Sequence, residues 1–287
     1  MANQTQPDAK LRTWQPEVFE GLELLAGHFT RASKPRREYH PRYILTLSKG
    51  TTGEIFYRGA YRDIPDDVFI NVQAGESTAA NLDEDYHAWM FQVSPRAMRR
   101  TVRELGGDTG ELPFLGTFVN DTPAKEAFER LARSLHAPGP SLEHQTLALE
   151  AFRRLLEHSS DADDLGRSPG KEPRAVKEVK RYLQAHFSRK VSLDDLIAIT
   201  GLSRSYLNES FKEAVGVPPY AYHLYVRLEH AKGLLRRGVA PVETALRTGF
   251  ADQAHFSKAF KQHVFVTPKQ YQRAYANPEP RVRALGV

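Results

Sequence analysis

Two stretches hold the side chains whose types and spacing could do chemistry. SRSYLNESFKEAVGVPPYAY (203–222) and, 49 residues on, DQAHFSKAFKQHVFVTPKQY (252–271) share one arrangement. The offset maps Ser203 to Asp252, Leu207 to Phe256, Phe211 to Phe260, Lys212 to Lys261, Pro219 to Pro268 and Tyr222 to Tyr271. Ser203 and Asp252 suit the start of a helix, where a side-chain oxygen accepts from an unpaired backbone N–H. Leu207 with Phe211, and Phe256 with Phe260, then form a buried seam at i, i+4. The opposite faces carry Ser205, Asn208, Glu209 and Lys212 in one copy, and Ala254, Ser257, Lys258 and Lys261 in the other. Short polar side chains on an exposed helix can reach base edges in a major groove. Lys212 and Lys261, late on their helices, are placed for backbone phosphate.

Elements must hold those faces out. LDDLIAIT before GLS, and VETALRT before GF, each predict a short helix and a Gly-containing turn ahead of the capped helix, which makes two helix-turn-helix units. Between them, PPYAYHLYVRLEHAKGLLRRG (218–238) sets Leu224, Leu228, Ala231 and Leu235 on one face. A helix of about 18 residues is about 27 Å long. With its turns it could set two reading helices about one DNA turn apart, roughly 34 Å. One copy alone is more readily an ordinary helical hairpin; the second matched copy reverses that reading.

Charge is unevenly placed. Residues 1–173 carry 21 Lys and Arg against 26 Asp and Glu, a net −5, whereas residues 174–287 carry 19 against 9, a net +10. A basic domain joined to an acidic one points to a polyanion at the C-terminal part. Charge by itself fits a solvated basic surface as well; two matched units in a +10 domain favour DNA. There are no cysteines among 287 residues, so disulfides, thiolate zinc sites and cysteine nucleophiles are excluded. No apolar run spans a bilayer, and MANQTQPDAKLRTWQ lacks the order of a secretory signal. A cytoplasmic, nucleoid-associated protein is the expectation.

The run RLEHAKGLLRRG, followed by ALRTGFADQAHFSKAFKQHVFVTPKQYQ, resembles the signature of AraC/XylS-family transcription regulators over about residues 176–275. The resemblance implies a DNA-binding domain of two helix-turn-helix units joined by one long helix. It places base contacts on Arg204, Ser205, Asn208 and Glu209, and on Gln253, Ala254, His255 and Lys258. Tyr206 and His255 could instead brace the helices or touch phosphate. Three positions depart from the family pattern. Ile197 stands where a small Ala is usual, Phe265 where Gly usually follows the helix, and Thr244 where an apolar residue is expected, in a helix one residue short before Gly249.

Before the linker SSDADDLGRSPGKEPR lie segments rich in β-branched and aromatic residues: LELLAGHFT, RYILTLS, GEIFYRGAY, DVFINV and DYHAWMFQV. Turn residues separate them at the spacing of a sandwich or small barrel. EAFERLARSLH and LEHQTLALEAFRRLLEH have helical periodicity, the second with Leu142, Leu149, Phe152 and Leu156 in a stripe that suits core or dimer contact. The resemblance implies a cupin-like β-barrel sensor followed by dimerising helices. The expected fold is therefore multidomain α+β: a cupin-like effector-sensing and dimerisation domain (1–158), a linker (159–174) and an all-α AraC-type DNA-binding domain (175–287).

Alternation puts His87, Trp89, Phe91 and Val93 on one face, and His40, Tyr57, His87 and Trp89 are the candidate effector contacts. His28, His40 and His87 are the histidines before residue 136; none forms an HxH pair, so neither metal nor cofactor is expected. An enzyme in the barrel lacks a nucleophile–base pair, and GESTA lacks Gly-x-Ser-x-Gly spacing. Uncharged reading residues such as Ser205 and Asn208 argue against an architectural DNA protein. The expected partners are duplex DNA, a small-molecule effector, RNA polymerase and a second copy of the chain, with no membrane.

Overall fold

A computed structural model describes residues 12–14, 21–29, 37–83, 86–107, 117–135, 141–157 and 172–276. Strands come first: β1 (Arg12–Trp14), β2 (Leu22–Phe29), β3 (Glu38–His40), β4 (Tyr43–Lys49), β5 (Gly53–Tyr57), β6 (Ala60–Asp63), β7 (Phe69–Val72), β8 (Glu76–Leu82) and β9 (Tyr86–Val93). Helix α1 (Pro95–Glu104), strand β10 (Phe118–Val119), and helices α2 (Thr122–Ser134) and α3 (Ser141–Glu157) follow. All pairings are antiparallel. One sheet has the order β1-β2-β9-β4-β7-β10, the other β3-β8-β5-β6.

Alternation along the strands gives the six-stranded sheet two apolar faces. Leu22, Leu24, Leu45, Phe69, Phe91 and Val93 turn to the helices and pack with Met98, Phe128, Leu131, Phe152 and Leu155. The Phe128 ring is the hub, with centroids 5.0, 5.1 and 5.3 Å from Phe69, Phe91 and Phe152. On the inner face Ile44, Ile70 and Val72 meet Ile55 and Tyr57 of the four-stranded sheet.

Among the described residues the strands make two antiparallel sheets that do not close into one barrel. The two sheets share no ladder among the described residues and face each other across the Ile44–Tyr57 cluster. Beyond that cluster C-terminal residues cover the inner face of β2 and β9: Phe265 packs on Leu25 and Ala88, and Lys232 and Tyr271 reach Glu23. The stripe on α3 also divides. Phe152 is wholly buried, and with Ala148, Ala151 and Leu155 it belongs to the core. Leu142 is exposed, and Leu149 and Leu156 are half-buried.

Residues 158–171, which contain most of the expected linker, lie outside the described residues. Glu172 and Pro173 lead into α4 (Arg174–Ala185), so Arg174 belongs to a helix. Then come α5 (Leu193–Thr200), α6 (Arg204–Val215), α7 (Pro219–Arg236), α8 (Pro241–Arg247), α9 (Gln253–Val264) and α10 (Pro268–Ala276). These helices build two separate cores. Val179, Leu196, Leu207, Phe211, Tyr222 and Tyr225 form one; Leu228, Ala231, Leu235, Ala245, Phe256, Phe260 and Tyr271 form the other. Helix α7 supplies its first half to one core and its second half to the other. No helix among the described residues is long and apolar enough to cross a membrane.

Candidate nucleic-acid interface

In the first unit α5 opens on a reciprocal cap. Ser192 Oγ accepts from Asp195 N, and the Asp195 carboxylate accepts from Ser192 N; this satisfies two of the donors a helix start leaves unpaired. Those bonds hold the Asp195 carboxyl below its ordinary value. Gly201 ends α5 in the left-handed region (φ 69°), and Ser203 caps α6 by accepting from Tyr206 N. Leu207 and Phe211 are fully buried, as the apolar seam requires. The other face of α6 is thereby turned to solvent: Arg204, Ser205, Glu209 and Lys212 are exposed and Asn208 is half-buried. Arg204 pairs with Asp194 at 2.8 Å, both exposed. Such a pair contributes about 0–1 kcal/mol, so a base or phosphate could displace it.

The second unit repeats this with shorter parts. Helix α8 has seven residues against eight in α5, and Ala240 gives it no side-chain cap. Thr244 is fully buried where an apolar residue was expected. Its hydroxyl donates to Val239 O at 3.3 Å, and Thr248 Oγ1 donates to Thr244 O at 2.7 Å. Hydroxyls that bond backbone carbonyls can be buried at small cost, which explains the tolerance. Ile197, another of the departures, is half-buried against the first core. Asp252 caps α9 by accepting from His255 N at 2.7 Å. Gln253, Ala254, His255 and Lys258 are exposed and Lys261 is half-buried. The ten residues expected to contact DNA are thus brought together as two outward faces, one on α6 and one on α9.

The four candidate effector contacts do not converge. His87 is exposed on β9, and Trp89 turns with Phe91 to the helices. Tyr57 is wholly buried between the sheets, its hydroxyl accepting from Gln73 N at 3.1 Å. Burial pushes its pKa up. His40 lies on a crevice of about 80 Å³ between β3–β4 and helices α7 and α9. Its Nε2 is 2.8 Å from Thr78 Oγ1, and burial lowers its pKa to about 4. Among the described residues no group of three or more His, Asp or Glu could hold a metal ion.

An ion cluster beside that crevice went unnoticed in the sequence. Glu23, on the inner face of β2, is fully buried under α7 and α10. Lys232 Nζ lies 2.9 Å from its carboxylate, Arg42 3.3 Å and Arg236 3.5 Å; Tyr271 donates to it at 2.9 Å. Glu229 completes the set, 2.9 Å from Arg42 and 3.2 Å from Lys232. Burial would raise the Glu23 pKa, but Arg42, Lys232 and Arg236 prevail and hold it well below the carboxylate range. The signal was LELLAG, which places Glu23 on one strand face with Leu25.

The model of a helix-turn-helix domain matches residues 196–274. The uncharacterized HTH-type transcriptional regulator YbfI of Bacillus subtilis is 35% identical over 167 residues, covering 58% of this chain and 60% of YbfI. The HTH-type transcriptional regulator MtrA of Neisseria gonorrhoeae is 30% identical over 123 residues, 42% of this chain and 41% of MtrA. The chain therefore spans less than two thirds of either relative. Among solved structures, a probable AraC family transcriptional regulator from Rhodopseudomonas palustris is 31% identical, with 98% of it and 36% of this chain aligned at a TM-score of 0.34. ToxT from Vibrio cholerae aligns over 89% of this chain and 98% of its own at a TM-score of 0.51 and 13% identity, a likeness of fold. With matched helix-turn-helix units and relatives of this kind, the C-terminal part of the chain is an AraC-type helix-turn-helix domain, the DNA-binding module of HTH-type transcriptional regulators.

Proposed function

We propose that this regulator reads two successive major grooves, α6 in one and α9 in the next, and that its N-terminal β region is a cupin-like sensor for a small-molecule effector. The observation that carries the reading is the pair of exposed polar helix faces on two cores joined by α7. Arg204, Ser205, Asn208 and Glu209, with Gln253, Ala254, His255 and Lys258, meet base edges; Lys212 and Lys261 meet phosphate. The sensor reading is supported by the two facing sheets. One ToxT structure, similar in fold, is described as bound to (E)-4-(8-methylnaphthalen-1-yl)but-3-enoic acid. The chain acts as a homodimer through α3 and works on RNA polymerase at its promoters.

The test is selection of duplexes from a random pool by the full chain, followed by variants on the enriched sequence. Asn208→Ala and Lys258→Ala should each cost about 1–3 kcal/mol on that sequence and relax preference locally. Lys212→Ala should weaken enriched and random duplexes alike, with a smaller salt dependence. Equal losses for Asn208→Ala and Lys212→Ala on both duplexes would sink the assignment of faces.

A further inference from the structure

We propose that Phe265 is a positioning residue: through its ring the N-terminal β region holds the second recognition helix in place for DNA. The inference rests on the two-groove reading above. Phe265 ends α9 with φ 68°, a left-handed conformation that is costly for a bulky side chain. Such strain persists only where the surroundings over-determine it. Here they do, because the ring packs against Leu25 and Ala88 on the inner face of β2 and β9, with Tyr86 and Met90 beside them.

The first unit touches the same region at the same repeat position. Gly216 ends α6 with φ 83°, and a Cβ there would lie 1.6 Å from Ser77 Oγ on β8. Arg37 donates to Gly216 O at 3.5 Å, and its guanidinium sits 4.4 Å over the Phe56 ring. Tyr39 enters the first core, its ring 5.1 Å from Tyr222. The β region therefore grips both recognition helices at their C-terminal ends. In the first unit the backbone comes up to it, and in the second a ring reaches in. The Glu23 cluster fixes α7 and α10 between these two grips.

Grip and reading face do not compete, since Arg204, Ser205, Gln253, Ala254, His255 and Lys258 stay exposed while the C-terminal ends are held. The two units have separate cores and share α7. Tying both to one rigid sheet lowers the ordering cost of meeting two grooves at once, which is preorganisation.

The experiment uses the full chain and two variants that break one contact from opposite sides, Phe265→Gly and Leu25→Ala. Glycine favours the left-handed cap, so Phe265→Gly keeps the helix end while removing the wedge. Binding is measured on the duplex enriched by the wild-type chain, and on the same duplex with the segment read by the second unit scrambled. Both variants should bind the intact duplex about 5–30-fold more weakly and the scrambled one as wild type does. Amide exchange in β2 and β9 should quicken in both. Equal binding of wild type and variants to the intact duplex, or the same loss on both duplexes, overturns the role of Phe265. Failure of the wild-type chain to enrich any duplex would instead overturn the DNA reading beneath it.

Discussion

Gly216 and Phe265 stand 49 residues apart at one position of the repeat, and each ends its recognition helix in the left-handed region, at φ 83° and 68°. The backbone solution is the same, while the side chains meet the β region in opposite ways. At Gly216 there is no room, because Ser77 occupies the place of a Cβ. Gly216→Ala should lower the unfolding free energy by about 1–3 kcal/mol, from left-handed strain and the clash together. Adding Ser77→Gly should recover the clash and leave the strain. Urea unfolding of the four proteins of that cycle checks this, and strictly additive losses would mean that the two residues do not meet.

The second unit is capped more sparsely than the first. Ala240 leaves the start of α8 without a side-chain acceptor, while Asp252 alone serves α9. Ala240→Ser should therefore stabilise by about 0.5–1 kcal/mol, and Asp252→Ala should cost about 1 kcal/mol. Thermal unfolding of the full chain, with amide exchange in α8 and α9 as the local reading, distinguishes the two effects. An Asp252→Ala chain that matched wild type at both would show that the cap contributes nothing.

How much was legible follows from how local each signal is. Caps, seam and turn in SRSYLNESF and DQAHFSKAF act within one or two turns of helix, so both units and their outward faces could be read from residue spacing. The left-handed cap at Phe265 was legible as a cost but not as a contact, because Leu25 and Ala88 lie far away in the chain. Tertiary pairing also governs the β region. Alternation assigned Trp89, Phe91 and Val93 to one face correctly, yet could not say that this face looks at helices. Glu23 was hidden for the same reason, since its partners come from β4, α7 and α10.

Acid should loosen this protein in two steps. Burial lowers His40 and, with the Arg227 charge, His223 to about 4 from 6.5. The unfolded chain then takes up protons that the folded chain refuses, so stability falls as pH drops from about 6.5 to about 4. Glu23 has a depressed carboxyl, whose contribution is present above the unfolded carboxylate value and is lost below it. The thermal midpoint should thus decline from neutral pH and go on declining below about pH 4.3, where Glu23 takes over from the imidazoles. His40→Gln, which can keep a bond to Thr78, should flatten the first step and spare the second. An unchanged slope between pH 6.5 and 4 in His40→Gln and His223→Gln would remove the imidazoles from the account.

Association of two chains should depend on the outer stripe of α3 and not on its inner one. Leu142, Leu149 and Leu156 recur every seven residues, which keeps them on one line along the helix. Leu142 is 72% exposed, whereas Phe152 is fully buried with its ring 5.3 Å from Phe128. A second helix laid on that line would bury Leu142 and Leu149, and would meet Leu156 where it already packs on the core, without disturbing the core beneath. Leu142→Asp with Leu149→Asp should therefore convert a dimer into a folded monomer in sedimentation, with DNA affinity reduced by the loss of the linked second site. Phe152→Ala should act otherwise, costing about 3–5 kcal/mol of stability through the cavity it leaves while the surviving folded protein remains dimeric. A wild-type chain that sediments as a monomer would refute the dimer, and a Leu142→Asp/Leu149→Asp chain that stays dimeric would place its interface elsewhere.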